Sequence, residues 1–281
     1  MAKRKRQITE AKTERFIREG RGQGTGKEYL PWLRIQDVPS EGRATRGVGW
    51  TTGRRHELLS DIERDYCYLL DYSDDVSDIR EQFPLLPLEE TLLIAEKVGV
   101  EHPTDPKTGI PIVMTTDFLI TFKDRNYART VKPVSQIENE RTIEKFEIER
   151  LFWESRHVDW GMITDQDLPE VLIRNIEWVH KEYHNDDISE LGVYTVQNLQ
   201  RILASRLQDG ETIARACLSC DEQLGLEVGT SLAMFRHFIA RKIWSVNMNE
   251  RIQPTLSAKD FIVNLQVEGL RKAGKNHANS V

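Results

Sequence analysis

The stretch TDFLITF-KDRN-YARTVKP, residues 116–133, has the pattern of a β-hairpin. Apolar side chains alternate along its first arm, which is the period of a strand. If Asp124 and Arg125 form a two-residue turn, Asp117 lies directly opposite Lys132. Opposed residues share one face of an antiparallel pair. The pattern therefore predicts a carboxylate and an ammonium that project together from the end of a short sheet.

An Asp–Lys pair at this place has two interpretations. It is an ordinary cross-strand ion pair, worth about 0.2–1 kcal/mol, or it is part of the Asp, hairpin, x-x-Lys arrangement of magnesium-dependent nucleases. A second carboxylate would favour the nuclease, because magnesium needs only one or two carboxylates beside waters and phosphates. The upstream candidate is Glu63, in a helix predicted to begin after Ser60. Since Ser60-x-x-Glu63 is also a capping box, the local sequence alone favours a capping role.

The predicted elements have a compact α/β order. The helix that carries Glu63 precedes a strand over residues 76–84, then the hairpin, then a long helix over residues 139–156 and a strand over residues 158–164. The Asp117–Lys132 pair and Glu63 are each weak indications of a nuclease site when taken alone. Their order and spacing along the chain strengthen that interpretation.

Several motifs along the chain resemble the TnsA family, the endonuclease subunit of the heteromeric transposases of Tn-seven-type bacterial transposons. The most specific are DIREQFP at residues 78–84 and ERTIEK at residues 140–145. The others are EGRGQG (19–24), YLPWL (29–33), TDFL (116–119) and VKP (131–133). The resemblance covers most of the first half of the chain, and the second half matches more loosely.

The resemblance implies a restriction-endonuclease-like domain, in which a mixed central sheet is flanked by helices, with Glu63, Asp117 and Lys132 as its active site. Glu149 would be a further acid on the following helix, although a solvated helix face is the usual place of such a charge. Glu63 and Asp117 would bind Mg²⁺, or Mn²⁺ in its place. Thr130 is neutral where this nuclease fold generally has an acid, so it would contribute only its backbone carbonyl.

The resemblance also implies a reaction and its partners. The enzyme would nick DNA at the 5′ ends of the transposon, leaving a 5′ phosphate and a 3′ hydroxyl. A partner transposase of a different fold would cut and join the 3′ ends, and an ATP-dependent regulator would dock on the C-terminal part. Two alternatives stay open: a scaffold whose nuclease site is weak or lost, as Thr130 would permit, and a free-standing restriction-type nuclease.

The composition of the 281-residue chain is that of a soluble protein, with 39% hydrophobic and 30% charged residues. It contains no apolar run of membrane-spanning length and no secretory signal after its basic N-terminus, and its three cysteines fit a reducing compartment. We therefore expect a cytoplasmic protein, and the resemblance implies a bacterial one that associates with the nucleoid when active.

Charge is unevenly distributed. The net charge is −6, yet residues 1–60 hold 14 basic and 7 acidic residues. A basic arm ahead of an acidic body predicts contacts with DNA phosphates, with Arg43, Arg46, Arg54 and Arg55 as candidates. The alternative is a solvated tail. The glycine-rich residues 20–27 lack the spacing of a phosphate-binding loop and predict a flexible linker or a DNA-facing loop.

Two domains are predicted, at residues 1–168 and 169–281. The second is mainly helical, and its helix, turn, helix and strand follow the winged-helix order. Arg236 and Arg241 are its candidate DNA contacts, and a helical docking domain for a protein partner is an equally favoured alternative. Cys217-x-x-Cys220 lacks two further ligands for a structural zinc site, which predicts reduced thiols on a helix.

Overall fold

The computed structural model describes residues 7–38, 43–184, 191–257, 259 and 262–265. The chain divides into two compact units, Met1–Leu168 and Pro169–Val281, which are described separately. None of the described helices is both long and apolar enough to cross a membrane.

Within its described residues, the first unit contains four α-helices and six strands. In chain order they are α1 (Glu10–Arg18), β1 (Thr45–Val48), β2 (Arg55–Leu58), α2 (Asp61–Tyr72), β3 (Val76–Pro84), α3 (Leu88–Val98), β4 (Thr115–Phe122), β5 (Arg125–Val131), α4 (Glu140–Glu154) and β6 (Asp159–Ile163). Strands β3, β4, β5 and β6 form one sheet in that order. The last pair is parallel and the other two are antiparallel, so the predicted mixed sheet is confirmed.

Helices cover both faces of this sheet. Successive side chains of β4 point to opposite faces and so join two different hydrophobic cores. Phe118 and Ile120 join the core beneath α2, where Cys67 and Leu70 are buried. Leu119 joins the core on the other face, beneath α3 and α4. The alternation that predicted a strand thus also places helices on both faces of the sheet.

The hairpin register differs from the predicted one. Phe122 pairs with Arg125 and Phe118 with Arg129, so Lys123 and Asp124 form the two-residue turn. Both have positive φ, 45° and 61°, as a type I′ hairpin turn requires. The predicted turn at Asp124 and Arg125 is wrong by one residue.

This error shifts the pairing by two residues and therefore keeps every side chain on its predicted face, whereas a one-residue slip would reverse them. Continuing the observed register places Asp117 opposite Thr130. Lys132 lies two residues further on, on the same face. The predicted proximity of Asp117 and Lys132 survives as a diagonal contact.

The glycine-rich stretch is folded rather than a free linker, which corrects that prediction. Gly22 N donates to Leu30 O at 2.6 Å, and Gly26 N donates to the carboxylate of Asp78 on β3 at 3.0 Å. A Cβ added to Gly22 would lie 2.2 Å from Cγ of Pro84. The backbone needs glycine here because it passes directly over the end of β3.

The second unit contains α5 (Glu170–His180), α6 (Val193–Gln208), α7 (Ile213–Leu224), α8 (Thr230–Ala240), β7 (Trp244–Val246) and β8 (Ile262–Leu265). Strands β7 and β8 are antiparallel, and Phe235, Phe238 and Trp244 are buried together. The mainly helical character predicted for this half is confirmed. Cys217 and Cys220 are buried free thiols on α7, as predicted.

Candidate active site

An open cleft of about 560 Å³ lies in the first unit, and Glu63, Gln82, Asp117 and Lys132 all contribute to its lining. Three structural elements converge there. Glu63 comes from the first turn of α2, Gln82 from β3 and Asp117 from β4, and Lys132 is the residue directly after β5. The three residues that the resemblance implies are therefore brought to one cavity.

Asp117 is fixed by two donors from the opposite arm of the hairpin. Its Oδ2 accepts from Lys132 Nζ at 3.0 Å and from Val131 N at 2.8 Å. The Lys132 backbone is in turn held by β6, since its N–H donates to Ile163 O at 3.0 Å. The charge of Asp117 raises the pKa of the Lys132 ammonium above its usual value. Lys132 therefore stays cationic next to the carboxylate.

Glu63 combines both roles considered from the sequence. Ser60 Oγ accepts from Glu63 N at 3.2 Å and donates to Glu63 Oε1 at 2.9 Å, so the helix cap is real. The backbone donor to Oε2 is Leu59 N, at 3.0 Å, rather than Ser60 N. The same carboxylate lines the cleft at 4% exposure. A capping role and a place in the site are compatible.

The two carboxylates of the cleft influence each other. Burial, together with the charge of Asp117, raises the pKa of Glu63 to about 7. Two poorly solvated carboxylates in one site repel each other, and a cation between them would relieve the cost. Within the described residues no three His, Cys, Asp or Glu side chains gather into a metal-binding group. A carboxylate pair nevertheless fits Mg²⁺, which keeps several waters and uses substrate phosphates as ligands.

Gln82 is the member of the site that the sequence prediction missed. Its Nε2 lies 3.3 Å from Asp117 Oδ1 and 3.5 Å from Glu63 Oε2. It is 2% exposed and has a positive φ of 49°. The residue falls inside the DIREQFP motif, but a neutral amide is neither an acid nor a base, so only its location could reveal it.

Glu149 lies beneath the strands rather than in the cleft lining. Its Oε1 accepts from the hydroxyls of Thr116 on β4 and Thr130 on β5. Trp153 Nε1 donates to Thr116 Oγ1 at 2.6 Å, and Trp160 Nε1 donates to Thr130 Oγ1 at 3.2 Å. Glu149 is 3% exposed, so the alternative of a solvated helix face is wrong. Its contacts brace β4, which carries Asp117, and β5, which directly precedes Lys132.

Among the predicted DNA contacts of the first unit, Arg43, Arg46 and Arg55 are exposed, and Arg46 pairs with Glu57 at 3.1 Å. Arg54 is buried instead, and its guanidinium makes a two-pronged ion pair with the fully buried Glu81. The prediction that Arg54 contacts DNA is therefore wrong for this fold, because the buried carboxylate on β3 needs its charge.

The predicted DNA contacts of the second unit are used for packing within that unit. The guanidinium of Arg236 lies 4.5 Å from the ring centroid of Trp178, and that of Arg241 lies 4.4 Å from the ring centroid of Tyr183. His237 Nδ1 lies 2.7 Å from Glu182 O. The end of α5 and the segment that follows it thus cover the basic side chains of Arg236, His237 and Arg241. A DNA contact by Arg236 or Arg241 stays a prediction.

Comparison with known proteins gives concordant results for both units. A family model described as "TnsA-like endonuclease N terminal" matches residues 73–165, and one described as "TnsA endonuclease C terminal" matches residues 167–248. The Escherichia coli protein named "Transposon Tn7 transposition protein TnsA" is 39% identical over 251 residues, which is 88% of this chain and 90% of that protein. The chain therefore belongs to the TnsA family of transposon-encoded DNA endonucleases.

Proposed function

We propose that this endonuclease hydrolyses DNA with a divalent cation, Mg²⁺ or Mn²⁺, at the site formed by Glu63, Asp117 and Lys132. The observation that carries the proposal is the pair of buried carboxylates that share one open cleft with a lysine held 3.0 Å from one of them. Magnesium sites of this kind use few protein ligands and leave positions for substrate phosphate.

Glu63 and Asp117 would hold the cation, and the backbone carbonyl of Thr130 would be a further ligand. When bound, the cation supplies Lewis-acid stabilisation of the charged phosphate oxygens. The two carboxylates carry two negative charges, which the cation balances. The ammonium of Lys132 then leaves the site with a net positive charge, which attracts a phosphodiester.

Lys132 would act on the reacting group itself. Its ammonium is a compact charge on a flexible stem, and Asp117 together with the bond from Lys132 N to Ile163 O fixes where it lies. A fixed positive charge stabilises negative charge that develops on the attacking oxygen and the phosphate. Glu149 would be a positioning residue, because it contacts the strands of the hairpin and not the cleft.

Membership of the family supports a place for this reaction in transposition. We propose that the enzyme nicks the 5′ ends of its transposon, leaving a 5′ phosphate and a 3′ hydroxyl. A separate transposase would cut and join the 3′ ends, and an ATP-dependent regulator would dock on the second unit. The enzyme would act in the bacterial cytoplasm, on DNA of the nucleoid. The packing of Arg236 and Arg241 within the second unit favours protein docking over DNA reading there.

The substitution Asp117→Asn tests the site. Asparagine keeps the size of the side chain and one oxygen for Val131 N, so the fold should survive. Without the charge, cleavage of a transposon-end duplex in the presence of Mg²⁺ and the partner proteins should slow by roughly a hundredfold or more. Cleavage rates are compared with those of Asp124→Asn, an exposed acid in the turn of the same hairpin. Equal rates for both variants and the wild type would refute the site.

A further inference from the structure

The carboxamide of Gln82 is the neutral group that faces both carboxylates of the cleft. Its distances to Asp117 Oδ1 (3.3 Å) and Glu63 Oε2 (3.5 Å) are long for hydrogen bonds, so the amide is weakly held by these partners. The side chain is nevertheless buried, at 2% exposure. Packing alone does not explain why the polar side chain of Gln82 is buried beside two carboxylates to which it makes only weak hydrogen bonds.

The backbone of Gln82 adopts an unfavourable conformation at the point where its side chain enters the cleft. A side-chain-bearing residue rarely adopts φ of 49° within a strand, and such conformations persist only where the surroundings enforce them. Here Gln82 O accepts from Trp32 N at 3.2 Å, and Tyr29 Oη donates to the carbonyl of the preceding Glu81 at 3.0 Å. The N-terminal segment thus holds the end of β3 in the conformation that aims Gln82 into the cleft.

The oxygen end of the Gln82 carboxamide contacts a hydroxyl group, which can form a hydrogen bond with either the oxygen or the nitrogen of the amide. Thr115 Oγ1 donates to Gln82 Oε1 at 3.1 Å. A hydroxyl can donate or accept, so Thr115 would equally accept from the amide nitrogen after a half-turn of the carboxamide. That half-turn exchanges the donor that now faces Asp117 and Glu63 for a carbonyl oxygen, without leaving the other end of the amide unpaired.

We propose that Gln82 is a third ligand of the divalent cation, supplying its carboxamide oxygen after this half-turn. The inference rests on the proposed cation site of Glu63 and Asp117. Side-chain amide oxygens are accepted ligands of hard cations. In the metal-free protein the amide donates to the two carboxylates and reduces their repulsion. With the cation present the same side chain presents oxygen, and it adds no further negative charge to a site that already balances a divalent ion.

A simpler role for Gln82 makes the opposite prediction. If the amide only separates two carboxylates in the metal-free protein, replacing it with an apolar side chain destabilises that state. Cation binding would then be unchanged or tighter in Gln82→Met. If the amide oxygen is a ligand, the same substitution weakens binding. Methionine has nearly the size and shape of glutamine, so the sign of the change reports the lost polar group.

The experiment is a titration of the full chain with Mn²⁺, without DNA or partner proteins, in which free Mn²⁺ is measured by electron paramagnetic resonance. The Gln82→Met protein should bind Mn²⁺ roughly tenfold or more weakly than wild type. The matched control is Gln136→Met, the same change at an exposed glutamine of the same cleft, and it should bind as wild type. Wild-type or tighter binding by Gln82→Met would overturn the inference.

The Asp117→Asn protein separates this outcome from failure of the site itself. If Asp117→Asn loses Mn²⁺ binding and Gln82→Met does not, the cation site stands and only the role of Gln82 is refuted. If the wild type shows no saturable binding, or Asp117→Asn binds as wild type, the proposed cation site fails and the role of Gln82 fails with it.

A second variant covers the case in which Gln82→Met does not fold, as judged by thermal melting in EDTA. Gln82→Glu keeps an oxygen donor at the same position and should bind Mn²⁺ as tightly as wild type or more tightly. Weaker binding by Gln82→Glu would overturn the inference.

Discussion

At the scale of single residues, the hairpin sequence was enough to bring Asp117 and Lys132 together, although the turn was misplaced. The prediction survived because a shift of two residues keeps strand faces unchanged. Glu63 could not be resolved from sequence, since a capping box and a cleft carboxylate have the same local pattern. Gln82 could not be found at all, because its role depends on two residues that are distant in the chain and on a backbone conformation that glutamine does not signal.

Glu149 makes a prediction about how stability depends on pH. Burial raises its pKa from 4.5 to about 7 in the folded protein. Between pH 4.5 and about pH 7, the Glu149 carboxyl binds more protons in the folded state than in the unfolded state. The contribution of Glu149 to the free energy of unfolding therefore falls as the pH rises through this range and is constant above it. The Glu149→Gln protein should lack this contribution, which is on the order of 1–3 kcal/mol.

The measurement is urea unfolding at pH 5 and pH 7 in EDTA. The wild type should lose more free energy of unfolding between these pH values than Glu149→Gln. Glu63 contributes in the same direction in both proteins, since its pKa is also raised to about 7, and cancels in the comparison. Glu154→Gln, at a 64% exposed position of the same helix, should follow the wild type. Parallel pH profiles for wild type and Glu149→Gln would contradict the raised pKa of the buried Glu149 carboxyl.

At the scale of elements, the strongly periodic segments were predictable and the polar ones were not. The strand at Val76–Pro84 and the helix at Glu140–Glu154 have the predicted type and nearly the predicted bounds. The antiparallel pair of β1 and β2 was missed because these four-residue strands, TRGV and RHEL, carry no clear alternation. The glycine-rich stretch was misjudged because its partners, Asp78 and Pro84, lie more than fifty residues away in sequence.

The packing of this glycine-rich stretch can be tested with two glycines. Gly20 and Gly22 have φ of +73° and +77°, so alanine at either position costs about 1–2 kcal/mol of backbone strain. Only at Gly22 would the new Cβ meet another group, Pro84, and overpacking adds about 1–3 kcal/mol. Gly22→Ala should therefore lower the free energy of unfolding by more than Gly20→Ala, as measured by urea denaturation. Equal losses would mean that the stretch does not pack on β3.

At the scale of the whole molecule, the family and the broad architecture were accessible from sequence, whereas the use of its charges was not. The basic excess of residues 1–60 predicted a DNA-binding arm, yet Arg54 is committed to Glu81 inside the fold. Arg236 on α8 and Arg241 directly after it similarly pack on aromatic rings of their own unit. A count of charges does not distinguish an arginine that binds phosphate from one that neutralises a buried carboxylate, because that distinction depends on tertiary neighbours.

The central claim is that this chain cuts DNA itself, with Lys132 in the active site. The most direct measurement is strand-specific cleavage of an end-labelled transposon-end duplex with Mg²⁺, the partner transposase and the regulator. Lys132→Ala is compared with Lys123→Ala, a lysine in the turn at the other end of the same hairpin. Loss of only the 5′-strand nicks with Lys132→Ala, and wild-type nicking with Lys123→Ala, is the predicted result. Equal 5′-strand nicking by the wild type and Lys132→Ala would contradict the claim and assign the cutting to a partner.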